Sequence, residues 1–84
     1  MKKYLVTGAA GFIGANFVKY MLSKYQNIFI VILDKLTYAG NLGTIKKEVE
    51  DPRVEFVLGD ICNREVVSAI FEKYDIDYVV NFAA

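Results

Sequence analysis

The sequence predicts an α/β fold in which helices cover a parallel sheet, and three observations carry that prediction. The run Ile28-Phe29-Ile30-Val31-Ile32-Leu33 is apolar without alternation, as suits a parallel strand buried on both faces. Apolar residues recur at helical spacing between this run and three other short apolar runs. A glycine-rich turn spanning residues 6 to 14, VTGAAGFIG, lies where the first apolar run gives way to the first helical pattern.

The elements follow in alternation. Tyr4-Leu5-Val6 opens as a strand that stops at Gly8, and Ile13, Phe17, Val18, Met21 and Leu22 mark a helix. The second strand is the run from Ile28 to Leu33. Leu42, Ile45 and Val49 suggest a short helix ending by Asp51-Pro52, since proline disfavours helix in the residue before it. Val54 to Leu58 is a third strand. Val66, Val67, Ile70, Phe71 and Tyr74 mark an amphipathic helix with Asn63 placed to cap it. Tyr78 to Phe82 is a fourth strand. No repeat, low-complexity tract or linker interrupts the series.

Composition narrows the possible functions. The chain has 84 residues, 55% of them hydrophobic, with six Tyr and six Phe, which excludes a disordered segment. Ten basic and ten acidic residues cancel, leaving no basic stripe for nucleic acid or an anionic membrane. The single cysteine, Cys62, excludes an internal disulfide and a thiolate metal cage. With no histidine, a histidine-ligated metal or a Ser/His/Asp triad within these residues is excluded as well. MKKYLV is not followed by the long apolar stretch of a signal peptide, and the longest apolar run is too short to span a bilayer. The expected setting is the cytoplasm.

The glycines carry the chemistry. Gly8 permits a tight turn off the strand, Gly11 lets a pyrophosphate approach the backbone, and Gly14 lets the helix pack closely on the strand. The helix N-terminus then offers unpaired N–H groups and partial positive charge to phosphates. A Walker-type Gly-Lys-Ser/Thr ending is absent, which argues against a nucleoside triphosphatase. A glycine turn alone is a weak signal, and an incidental surface aspartate would be its bland companion. Here Asp34 ends the second strand, twenty residues beyond Gly14, where a carboxylate accepts hydrogen bonds from ribose hydroxyls. Together these features point to the front of a doubly wound Rossmann fold, with strand order 3-2-1-4. The fourth strand would leave an exposed apolar edge, so residues 1–84 are expected to be part of a Rossmann domain at the front of a longer protein.

Other positions remain open on the residues alone. Asp34 would repel a 2′-phosphate and favours NAD over NADP, whereas the ammonium of neighbouring Lys35 could pair with that phosphate. Direct ribose contact by Asp34 is the stronger effect, so NAD is the expected cofactor. Asp60 either accepts from the adenine amino group, with Ile61 packing on the ring, or serves as an ordinary turn residue. Cys62 reads as a small packing residue, because nothing nearby in sequence would lower its pKa. Phe12, Phe17, Phe56 and Phe71 read mostly as core, and Tyr38 as a loop residue that packs or covers an adenosine.

YLVTGAAGFIGANF resembles the start of the extended short-chain dehydrogenase/reductase family, with its T-G-x-x-G-x-x-G turn. The stretch LDKLTYAGNL is more specific and looks like the second-strand loop of dTDP-glucose 4,6-dehydratases; LGDIC and NFAA continue the match, which covers essentially the whole chain. The resemblance implies an enzyme of nucleotide-sugar metabolism with tightly held NAD, homodimeric at full length. In such enzymes C4 of the glucosyl unit is oxidised, water is lost across C5 and C6, and the hydride returns to C6. The product is a 4-keto-6-deoxy sugar nucleotide.

By position, the resemblance implies that Phe12 and Ile13 lie against the pyrophosphate and that Asp34 holds the adenosine ribose. Lys35, Leu36 and Thr37 line the same pocket, and Asp60 and Ile61 contact adenine. Phe82, Ala83 and Ala84 run under the cofactor near the nicotinamide-side ribose. Ala9 replaces a glycine common in the family, and Asn81 stands where histidine is frequent. The family's Tyr-x-x-x-Lys pair, its Thr and its Asp-Glu pair would all fall downstream of Ala84, so no catalytic residue is assigned here. Competing readings are a nucleotide-sugar 4-epimerase or related enzyme, a non-catalytic dinucleotide sensor, and an S-adenosylmethionine methyltransferase. The KLTYAGN loop favours the dTDP-glucose 4,6-dehydratases over an epimerase, and the glycine spacing fits a pyrophosphate better than S-adenosylmethionine.

Overall fold

A computed structural model describes residues 1–9, 12–35 and 46–82. Within them, strands β1 (Lys2–Thr7), β2 (Ile28–Asp34), β3 (Val54–Leu58) and β4 (Tyr78–Asn81) alternate with helices α1 (Phe12–Lys24), α2 (Lys46–Val49) and α3 (Arg64–Tyr74). The strands form one parallel sheet in the order β3-β2-β1-β4. Fold class, element order and strand order therefore match the expectation from sequence. Leu42 and Ile45, two of the apolar positions expected in the second helix, lie outside the described residues.

Alternation along the strands builds two cores, one on each face. Ile28, Ile30 and Ile32 of β2, with Val6 of β1, pack against Ala15, Val18 and Met21 of α1, and Val49 of α2 joins the same face. Val31 and Leu33, with Leu5, face Ile70, Val66, Val67 and Tyr74 of α3. The first two crossovers thus carry helices over one face, and the third, which returns past β1 to β4, carries its helix over the other. That reversal places the topological switch between β1 and β4, where ligands of such sheets bind at the carboxyl ends of the strands.

Helix α3 begins as the sequence predicts. The Asn63 side-chain oxygen accepts from the N–H groups of Glu65 and Val66, at 3.0 and 3.3 Å, which satisfies two donors the helix itself cannot pair. It ends at Asp75 in the left-handed region (φ 54°), whose N–H donates to the Phe71 carbonyl at 3.2 Å. The expectation of a core Phe71 is corrected: its ring is 41% exposed. Ile70 sits at the centre of the buried stripe, and one residue further on turns about 100° around the helix, away from the sheet.

A polar brace ties the amino-terminal end of the sheet. The Arg53 guanidinium donates to both carboxylate oxygens of Asp51, at 3.0 and 2.8 Å, and to the Tyr25 carbonyl at 2.8 Å. The Arg53 carbonyl in turn accepts the Ile30 N–H at 2.8 Å. One side chain thus joins the turn before β2 to the turn before β3. Hydrogen bonding from Arg53 holds the Asp51 carboxyl below its ordinary pKa, against the opposing effect of burial. A carboxyl depressed in the folded state contributes stability that is present above its unfolded pKa and lost as pH falls through the folded one. We therefore expect a loss of stability below about pH 4, and Asp51→Asn should remove part of that acid dependence. Denaturant midpoints at neutral and acid pH check this; an equal acid loss in both proteins would count against it.

Candidate dinucleotide site at the carboxyl ends of the strands

The site begins with backbone hydrogen bonds that continue past the strand ends. The Gly8 N–H donates to the Leu33 carbonyl at 3.2 Å, the Phe82 N–H to the Thr7 carbonyl at 2.8 Å, and the Gly59 N–H to the Asp34 carbonyl at 3.1 Å. The residues following β1, β3 and β4 are thereby held in register with the ends of β2 and β1 along one edge of the sheet. Gly8 then turns the chain at φ 76°, a conformation costly for a residue with a Cβ.

Close approach dictates Gly14. A Cβ there would lie 2.6 Å from the Gly8 carbonyl oxygen and 2.7 Å from the Ala9 Cα. Both atoms are backbone, so neither can swing aside. Helix α1 therefore starts pressed against the turn that precedes it, and its first turn carries no acidic side chain to oppose an anion. A backbone cradle with a helix N-terminus behind it suits a pyrophosphate. Ile13, in that first turn, is 70% exposed. Gly11, Leu36, Thr37, Tyr38, Ala83 and Ala84 lie outside the described residues, as does the side chain of Phe12.

The second wall comes from the ends of β2 and β3. Asp34 closes β2 and is only 4% exposed. Lys35 follows it and reaches across to Asp60, with Nζ 3.7 Å from Oδ2. The other Asp60 oxygen accepts the Cys62 N–H at 2.8 Å, and the Asp60 carbonyl accepts the Asn63 N–H at 2.9 Å. The backbone hydrogen bond from Cys62, assisted by the Lys35 charge, holds the Asp60 carboxyl below its usual range, although desolvation opposes it. Ile61 is half-buried against the α3-side core. Cys62 itself is exposed, which corrects the packing role expected of it: its backbone is drawn to Asp60, and its side chain is left outside the core.

The third wall lies at the switch between β1 and β4. Fully buried Thr7 donates its hydroxyl to the Asn81 side-chain oxygen at 2.5 Å. Phe82 is half-buried, and its ring lies 5.4 Å from that of Phe17. The Thr7–Asn81 pair spans 74 residues of sequence. Its only local signal is that two apolar strands each end on a polar residue, and pairing them requires the topology.

One sequence coincidence is resolved by position. Tyr20 and Lys24 have Tyr-x-x-x-Lys spacing, and Lys24 Nζ donates to the Tyr20 hydroxyl at 2.8 Å. They occupy the last turns of α1, at the end of the helix opposite the glycine cradle. Hydrogen bonding to Tyr20 raises the Lys24 pKa, so this lysine is a surface cation. Among the described residues, no group of three His, Cys, Asp or Glu side chains is placed to hold a metal ion. No helix among them is long and apolar enough to cross a membrane.

Fold and site together define a dinucleotide-type α/β domain front. The profile of the GDP-mannose 4,6 dehydratase family matches residues 5–84, and the chain belongs to that family. A dTDP-glucose 4,6-dehydratase of Haemophilus influenzae is 42% identical over 84 residues, covering 100% of this chain and 25% of that protein. The crystal structure of a dTDP-glucose 4,6-dehydratase from Bacillus anthracis in complex with NAD matches with a TM-score of 0.95 and 45% identity, covering 100% of this chain and 27% of that one. A UDP-Glc/GlcNAc 4-epimerase from Campylobacter jejuni matches with a TM-score of 0.84 and 30% identity, covering 100% of this chain and 25% of that one. The chain spans about a quarter of the length of these relatives.

Gly14→Ala tests the cradle directly. Because the intruding methyl would meet backbone on two sides, we expect a destabilisation of about 1–3 kcal/mol, read from urea unfolding of the full-length protein. A change below about 0.5 kcal/mol would show that the turn can relax, and that its geometry is not fixed by this contact.

Proposed function

We propose that residues 1–84 are the NAD-binding front of a Rossmann domain in a dTDP-glucose 4,6-dehydratase. That enzyme converts dTDP-glucose to dTDP-4-keto-6-deoxyglucose and water by internal hydride transfer. The observation that carries this reading is the match to the NAD-bound Bacillus anthracis dehydratase, at 45% identity over the whole chain. Epimerases share the fold at 27% to 37% identity, below the 45% of the Bacillus anthracis dehydratase, and this difference supports the dehydratase reading.

The chain's own geometry fits NAD. A Cβ on Gly14 would meet the Gly8 carbonyl oxygen and the Ala9 Cα, so α1 starts close against the turn and offers its N-terminal N–H groups to a pyrophosphate. In this reading Gly11 meets the pyrophosphate as well. Phe12 and Ile13 lie against the phosphates in this reading. Asp34 accepts from the adenosine ribose, Lys35, Leu36 and Thr37 line the same pocket, and Asp60 and Ile61 meet the adenine. Phe82, Ala83 and Ala84 pass under the nicotinamide-side ribose. When bound, NAD supplies a reversible hydride acceptor. These residues bind and orient it; the groups that move protons on the sugar belong to the rest of the protein. The reading extends to a cytoplasmic homodimer at full length.

The decisive experiment is to incubate the full-length protein with dTDP-glucose and follow formation of the 4-keto-6-deoxy product. Turnover of a UDP-hexose to its 4-epimer, without loss of water, would sink the dehydratase reading. Tyr20→Phe should leave turnover unchanged, because its hydroxyl lies at the wrong end of α1; a large loss would mean that the site has been misplaced. Asp34→Ala should raise the Kd for NAD at least about tenfold, the scale of a hydrogen bond to a charged group. Calorimetric titration checks this, and unchanged affinity would remove Asp34 from the ribose.

A further inference from the structure

The inference rests on the reading above, in which the adenosine ribose lies at Asp34. Lys35 is the next residue, and an ammonium there is well suited to neutralise a phosphate carried on the ribose 2′-oxygen. The structure turns it elsewhere. Its Nζ lies 3.7 Å from Asp60 Oδ2, so the side chain spans from the end of β2 to the end of β3. Asp60 is itself anchored, because its Oδ1 accepts the Cys62 N–H at 2.8 Å and its carbonyl accepts the Asn63 N–H at 2.9 Å. It cannot follow Lys35 out towards a ligand without giving up that turn.

We propose that Asp60 is a specificity-determining residue: by holding the Lys35 ammonium at the end of β3, it withholds that cation from a ribose 2′-phosphate and so makes the site select NAD over NADP. A ribose 2′-phosphate would add about two negative charges beside Asp34, and the nearest cation in sequence, Lys35, is the one held at Asp60. Both side chains of the pair are about half exposed, at 54% and 44%, so the pair contributes little to folding. Selectivity is a different quantity. NAD and NADP differ only in the 2′-phosphate, and discrimination is the difference between their affinities.

The test is the ratio Kd(NADP)/Kd(NAD), measured by calorimetric titration of the full-length protein freed of nucleotide. Asp60→Asn keeps the side chain's size and its acceptor oxygen but removes the charge. Any lost adenine contact weakens both ligands alike and cancels in the ratio. We expect the ratio to fall roughly twofold to fivefold, the range of an exposed charge pair, and the fall to shrink with added salt. In a Lys35→Met background the same substitution should leave the ratio unmoved, since no ammonium remains to be released.

An unmoved ratio in Asp60→Asn overturns the proposal. So does an equal fall in the Lys35→Met background, which would mean that Asp60 repels the phosphate directly. Tight NAD binding with either result leaves the dinucleotide reading standing and removes this inference alone. Failure of the unsubstituted protein to bind either dinucleotide removes both.

Discussion

The structure depends on one strand that is buried on both faces. From Ile28 to Leu33, β2 is apolar at every position; it pairs with β1 on one side and β3 on the other, and its side chains pack alternately towards α1 and α3. Such a strand can present no polar group along its length without leaving it buried and unpaired. The first place it can offer chemistry is its end, and the residue there is Asp34. The same constraint governs β1, whose apolar stretch gives way to Thr7 and then to Gly8. Function gathers at one edge of the sheet because the middle is closed to it.

That closure explains why the fold was readable from sequence. A continuous β-branched run can be satisfied only by cover on both faces, and helical periodicity on either side supplies it. The strand order then follows from right-handed crossovers and one reversal of direction. The Asn63 cap was legible for a similar reason: a short polar side chain immediately before an apolar helical pattern has one local use. The buried acid at the end of β2 was legible from its distance to the glycines.

The parts that escaped were long-range. Arg53, Asp51 and Tyr25 form one brace, yet Tyr25 and Arg53 are 28 residues apart and nothing local joins them. Thr7 and Asn81 are separated by 74 residues. Lys35 could be weighed in sequence only against a phosphate, because its structural partner, Asp60, belongs to another strand end. Phe71 and Cys62 failed in the opposite sense. Each is of an apolar type expected inside, whereas a neighbouring residue takes the inward position or the turn sets the direction. Residue type predicts burial less well than the angle at which the backbone delivers it.

The division of labour between backbone and side chain has a consequence for what such a segment can determine. A turn followed by a helix start suits phosphates, and the dehydratase and epimerase with TM-scores of 0.95 and 0.84 share this chain's backbone fold. Backbone geometry of that kind recognises a dinucleotide but carries little information about which one, or about the reaction it serves. Discrimination has to come from side chains at the strand ends, where position is fixed by the sheet while charge is free to vary. Asp34 closes β2, and the Lys35–Asp60 pair lies just beyond the ends of β2 and β3, where the sheet sets the position of such charges. A sheet whose central strands are buried therefore does more than support the site. It sets where the few charges at the strand ends stand.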